Sequence, residues 1–113
     1  MSIMYQSTRS NSEKVTASQA ILKGLADDGG LFVPDSIPAF DVPLDRLPAL
    51  TYQETAYEVM KLFCDDFTED ELKNCIRGAY DDKFDTDEIA PLVKKDGVFY
   101  LELFHGKTIA FKD

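Results

Sequence analysis

One four-residue pattern, used twice, constrains this chain more than any other feature. Thr51-Tyr-Gln-Glu54 and Thr68-Glu-Asp-Glu71 each set a hydroxyl three residues before a carboxylate, at the head of an apolar periodic run. In that arrangement the threonine oxygen accepts from a backbone N–H of the first helical turn. The glutamate reaches back to the threonine N–H, so donors that a helix start leaves unpaired are satisfied. Tyr52, Ala56, Val59, Met60 and Phe63 follow the first box at helical spacing; Leu72, Cys75, Ile76 and Ala79 follow the second. Phe67 and Leu72 are placed to staple the second start. The link over residues 64–67 is short, which predicts an antiparallel helical hairpin.

The flanking sequence is mixed. Residues 3–8 predict a short opening strand, and 10–14 a polar connector. Thr16 and Gln19 make a third capping pair, with Ala17, Ala20, Ile21 and Leu25 on one helical face and Gly24 as the stop. "DDGGLFVP" (27–34) reads as a turn and a brief extended segment. Over residues 34–48 the chain carries Pro34, Pro38, Pro43 and Pro48, which remove donors and disfavour helix. Ile37, Phe40, Val42, Leu44 and Leu47 are interleaved, so this stretch is expected to lie against a surface. "KKDG" predicts a hairpin-type turn ahead of a strand over 98–104, buried on both faces with Glu102 as its polar exception. The expected fold class is α+β: a small domain with a helical hairpin and a minor β-sheet, not a doubly wound sheet.

Composition and motif spacing exclude several classes of function. The net charge is −9, and no Lys/Arg cluster offers the counterion release that nucleic acid binding needs. Anionic membrane surfaces are disfavoured equally, no stretch can span a bilayer, and the N-terminal residues lack an export core, so a cytoplasmic protein is expected. Cys64 and Cys75 are too few for a disulfide framework, and each is expected as a buried, reduced thiol on a helical face. The loop over 80–91 offers Asp81, Asp85, Asp87 and Glu88. Lys83 and Thr86 occupy positions where a calcium loop needs an oxygen ligand and a glycine, so a solvated connection is expected and no metal site. His105 is the single histidine, which rules out sites with several imidazole ligands. The serines sit in no nucleophile-elbow context. "GKT" at 106–108 is not a P-loop, because Leu101 stands where the first glycine belongs.

Lys112 is the remaining candidate. It follows the apolar Ile109-Ala110-Phe111 and precedes Asp113. Burial there would favour the neutral amine, which attacks carbonyls and suits condensation with an aldehyde cofactor. By residue chemistry alone it reads first as one more exposed lysine, as most lysines are.

The motifs themselves are more specific. "LELFHGKTIAFKD" (101–113) resembles the lysine-bearing motif of the threonine synthase family, usually L-E-L-F-H-G-P-T-L-A-F-K-D. "YQSTRS" (5–10) resembles that family's opening Y-x-S-T-R-G, and "GLADDGGLFVP" (24–34) its G-L-x-x-D-G-G-L-F-V-P. The resemblance spans essentially all residues, in order. It implies that Lys112 bonds pyridoxal 5′-phosphate, with Phe111 and Asp113 beside the cofactor and His105, Gly106 and Thr108 near the substrate. It also implies conversion of O-phospho-L-homoserine and water to L-threonine and phosphate, within a fold-type II enzyme. The chain is then expected to comprise an N-terminal domain (1–90) and the start of a catalytic domain (91–113). The remainder of that domain, with the glycine-rich phosphate loop, lies downstream, and these residues alone are expected to be inactive and frayed over 105–113. Lys107 and Ser10 depart from the family's proline and glycine. Two alternatives stay open: a related phospho-lyase acting on another phosphorylated amino alcohol, and a non-catalytic interaction or cover module.

Overall fold

The computed structural model describes residues 2–10 and 13–113. Strand β1 (Tyr5–Ser7) is the centre of a three-stranded antiparallel sheet, flanked by β2 (Lys14–Val15) and β3 (Phe32–Pro34). Tyr5 stands opposite both Val15 and Pro34, and Ser7 opposite Phe32. The opening strand is therefore shorter than expected. Lys14 belongs to β2 and not to a connector, since it pairs across from Gln6. Residues 11 and 12 of that expected connector lie outside the described residues.

Helix α1 (Ala17–Lys23) starts on the expected box: Thr16 Oγ1 accepts from the Gln19 N–H, and Gln19 Oε1 accepts from the Thr16 N–H at 2.9 Å. Gly24 ends it at φ 75°, a conformation that costs glycine little. Only the small side of its predicted face is covered. Ala17 and Ala20 are buried, while Ile21 and Leu25 remain 66% and 62% exposed.

Helices α2 (Tyr52–Phe63) and α3 (Glu69–Ala79) form the predicted hairpin, each with its complete capping box. The Thr51 N–H donates to Glu54 and the Thr68 N–H to Glu71, both at 2.8 Å. Losing one such threonine costs about 1 kcal/mol in comparable helices. Leu72 and Ile76 are the buried residues of α3, and Phe67 is half-buried. Lys73 Nζ lies 4.9 Å from the Tyr57 ring centre across the helix pair. Cys64 is half-buried just past α2, but Cys75 is exposed, so the expected pair of buried thiols is corrected at Cys75. The Cys75 position lies off the α3 stripe of Leu72 and Ile76 that meets α2.

The loop joining the helices is also the joint to the sheet. Asp65 accepts from Ser2 Oγ and the Ile3 N–H, both at 3.0 Å. Asp66 accepts from the Ser18 N–H at 3.0 Å and Ser18 Oγ at 2.6 Å, and Tyr5 Oη donates to the Phe63 carbonyl at 2.7 Å. The two N-terminal motifs, over 5–10 and 24–34, interlock as well. Asp28 Oδ1 accepts from Ser7 Oγ at 2.6 Å and the Gly30 N–H at 2.9 Å, and a Cβ on Gly30 would stand 2.0 Å from Ser7 Oγ.

Two expectations about coverage fail in part or in full. The proline segment holds a short 3₁₀ turn (Leu47–Ala49) and lies against a surface only in part: Val42 and Leu47 are half-buried, but Ile37 and Leu44 are 78% and 79% exposed. The strand expected over 98–104 ends sooner. Strand β5 (Val98–Leu101) pairs with β4 (Leu92–Lys95) through an Asp96-Gly97 turn, with φ 52° and 79°. Val98, Phe99, Tyr100 and Leu101 are all more than half exposed, because the hairpin has two strands and neither face meets another layer. The architecture is α+β, with two small sheets in place of one.

Candidate functional site

The hairpin delivers the chain to residues 102–113. The Glu102 N–H donates to the Pro91 carbonyl at 3.0 Å, extending the β4–β5 pairing by one rung. Beyond it the chain turns under the loop over 80–91, where the Asp85 N–H donates to the His105 carbonyl at 3.1 Å.

His105 is committed at both ring nitrogens. Nδ1 meets Asp85, and Nε2 lies 2.7 Å from Glu102 Oε2. Its side chain is 15% exposed, and the Phe104 ring lies tilted over it at 4.6 Å. The hydrogen bonds that Glu102 and Asp85 accept from the ring raise its pKa above the ordinary histidine value. The remaining acids of this loop act singly: Asp81, for one, pairs with Lys83.

The next turn is tied to its own end. Asp113 accepts from the Thr108 N–H at 2.8 Å and from Thr108 Oγ1 at 2.6 Å. Thr108 thereby holds the Asp113 carboxyl below the usual carboxylate range. The Ile109 N–H donates to the Gly106 carbonyl and the Asp113 N–H to the Ala110 carbonyl, both at 3.2 Å. Ile109 sits at φ 56°, and Ile89 in the facing loop at 62°. A β-branched residue in the left-handed region stores on the order of 1–3 kcal/mol of strain, which its surroundings must hold.

Lys112 is exposed at the end of this turn, so the burial expected to activate its amine is not provided by these residues. Phe111 is 83% exposed beside it. Thr108 and Asp113 are thus brought together, with Gly106 beneath them, whereas His105 faces Asp85 and Glu102 instead of the lysine. Sequence reasoning left Asp85 and Glu102 out of the site. The available signal was Glu102 itself, an acid in an apolar run three residues before the single histidine.

The family model described as threonine synthase N terminus matches residues 4–80. The chain belongs to this threonine synthase N-terminal family. It is 40% identical over 120 residues to the threonine synthase of Saccharomyces cerevisiae, covering 97% of this chain and 23% of that protein. The Schizosaccharomyces pombe threonine synthase is 42% identical over 117 residues, covering 98% and 22%. The crystal structure of a PLP-bound threonine synthase from Brucella melitensis superposes with a TM-score of 0.81 at 37% identity, covering 98% of this chain and 24% of that one. The chain therefore spans about a quarter of the length of the threonine synthases it matches.

Proposed function

We propose that this chain is the N-terminal part of a pyridoxal 5′-phosphate-dependent threonine synthase. The reaction is a carbon–oxygen lyase step that converts O-phospho-L-homoserine and water to L-threonine and phosphate. Lys112 holds the cofactor. The supporting observation is an exposed primary amine on a turn fastened to itself by Thr108 and Asp113, inside the family's lysine motif. The donor chemistry fits, since an accessible amine is what an aldehyde requires.

When bound, pyridoxal phosphate supplies an electron sink for charge developing next to the substrate amine. Within this chain the division of labour follows from which groups are free. The Asp113 carboxylate is occupied by Thr108, and both His105 nitrogens by carboxylates, so neither serves as a proton carrier. Lys112, the lysine of the family's motif, is the group that moves a proton, and Thr108 with Asp113 fastens the turn that carries it. Phe111 offers an apolar face beside the amine.

The same reading divides the chain into an N-terminal domain (1–90) and the opening of a fold-type II catalytic domain (91–113), in a cytoplasmic enzyme. Alone, these residues are inactive and hold the cofactor weakly or not at all. Each helix N-terminus is closed by its own capping box, and acidic residues crowd the first turn of α3, so none is open to the cofactor phosphate. The test is product analysis on the full-length protein with O-phospho-L-homoserine. Threonine and phosphate should appear in equal amounts, and Lys112→Ala should slow both at least about a hundredfold, the low end for losing a proton-transfer group. A different product, or an unimpaired variant, would overturn the reading.

A further inference from the structure

We propose that His105 is a positioning residue whose imidazolium, held at one nitrogen by Asp85 and at the other by Glu102, fastens the Lys112 turn to the loop over 80–91. The argument rests on donors and acceptors. Carboxylates only accept hydrogen bonds, and a neutral imidazole has one N–H to give. Gripped between two carboxylates, a neutral ring would set its lone pair against one of them. The imidazolium donates to both. Asp85 and Glu102 are the charged groups that face the ring, from the acidic loop and from the residue following β5. The clamp is closed by a third tie, the Asp85 N–H on the His105 carbonyl at 3.1 Å, and it holds the chain immediately before Gly106.

A direction with pH follows. The folded pKa of His105 lies above its unfolded value, so the clamp is complete below the unfolded value and is lost as pH rises through the folded one. Above that point the ring keeps a single N–H, so one of the two carboxylate contacts loses its donor and the hold on the segment 102–106 weakens. Only the link from this clamp to catalysis rests on the proposed role of Lys112; the clamp itself does not.

The single histidine makes the test unambiguous. The imidazole carbon-bound proton signals of the full 113-residue chain are followed by NMR across pH, together with the backbone amides of residues 106–113. The expected midpoint lies above that of free histidine, and the amides move with the same midpoint. Asp85→Asn and Glu102→Gln should each lower it. A midpoint at or below the free value, amides that stay still through the titration, or a midpoint insensitive to both substitutions would overturn the proposal. No cofactor or turnover enters this readout, so its failure leaves the Lys112 reading standing, and failure of that reading leaves the clamp.

Discussion

A Cβ added to Gly106 would stand 2.6 Å from the Asp113 Cβ and 2.9 Å from its Cγ. The constraint is one of space: the side chain of residue 113 folds back over residue 106 to reach Thr108. Gly106→Ala must push that carboxylate away from the Thr108 N–H. Amide exchange at Thr108 is expected to accelerate roughly tenfold or more, as for loss of a charge-assisted bond. Exchange at α2 and α3 should be unchanged; an unaltered Thr108 rate would show that the fastening is not real. At this scale the sequence was legible as letters and less so as geometry. The motif led to Lys112, but the apolar residues before it suggested burial, and the amine is exposed. Apolar neighbours in sequence say what a residue could pack with, not whether they surround it. Of the two partners of His105, Glu102 stands three residues away in the sequence, but Asp85 lies twenty residues back, where no local spacing connects it.

Among the elements, those set by local hydrogen bonds matched expectation, and those needing a second layer did not. All three capping boxes are built as read, because a box is complete within four residues. Strand β5 has the continuous apolar bulk of a strand buried on both faces, yet both faces are open, since burial depends on what packs across it. The proline segment is covered only in part for the same reason. The joint at Asp65 and Asp66 could not be read at all: it links the sheet and α1 to a loop far along the sequence. Burial works to raise the Asp66 pKa, but hydrogen bonds from Ser18 and Thr16 outweigh it and leave it lowered. A carboxyl whose folded pKa is depressed contributes stability above its unfolded value and loses it as pH falls through the folded value. Asp66→Asn should therefore destabilise the chain at neutral pH and flatten its loss of stability toward acid, as followed by urea melts at several pH values. Parallel pH profiles for variant and parent would contradict this.

For the whole molecule, the open faces carry a common message. Ile21, Leu25, Leu31, Ile37 and Leu44 are exposed, as are Phe99, Tyr100 and Leu101, and among the described residues no large side chain is completely sealed. The chain superposes on about a quarter of a threonine synthase structure with a TM-score of 0.81. On the function proposed above, its contribution to chemistry is the exposed Lys112 amine, presented on a turn that Thr108 and Asp113 fasten. The central claim is that this amine carries the cofactor. Borohydride reduction of the full-length protein loaded with pyridoxal 5′-phosphate, followed by peptide mass spectrometry, tests it directly. One phosphopyridoxyl group is expected, on Lys112. The same mass found on Lys107 or another lysine, with Lys112 unmodified, would contradict it.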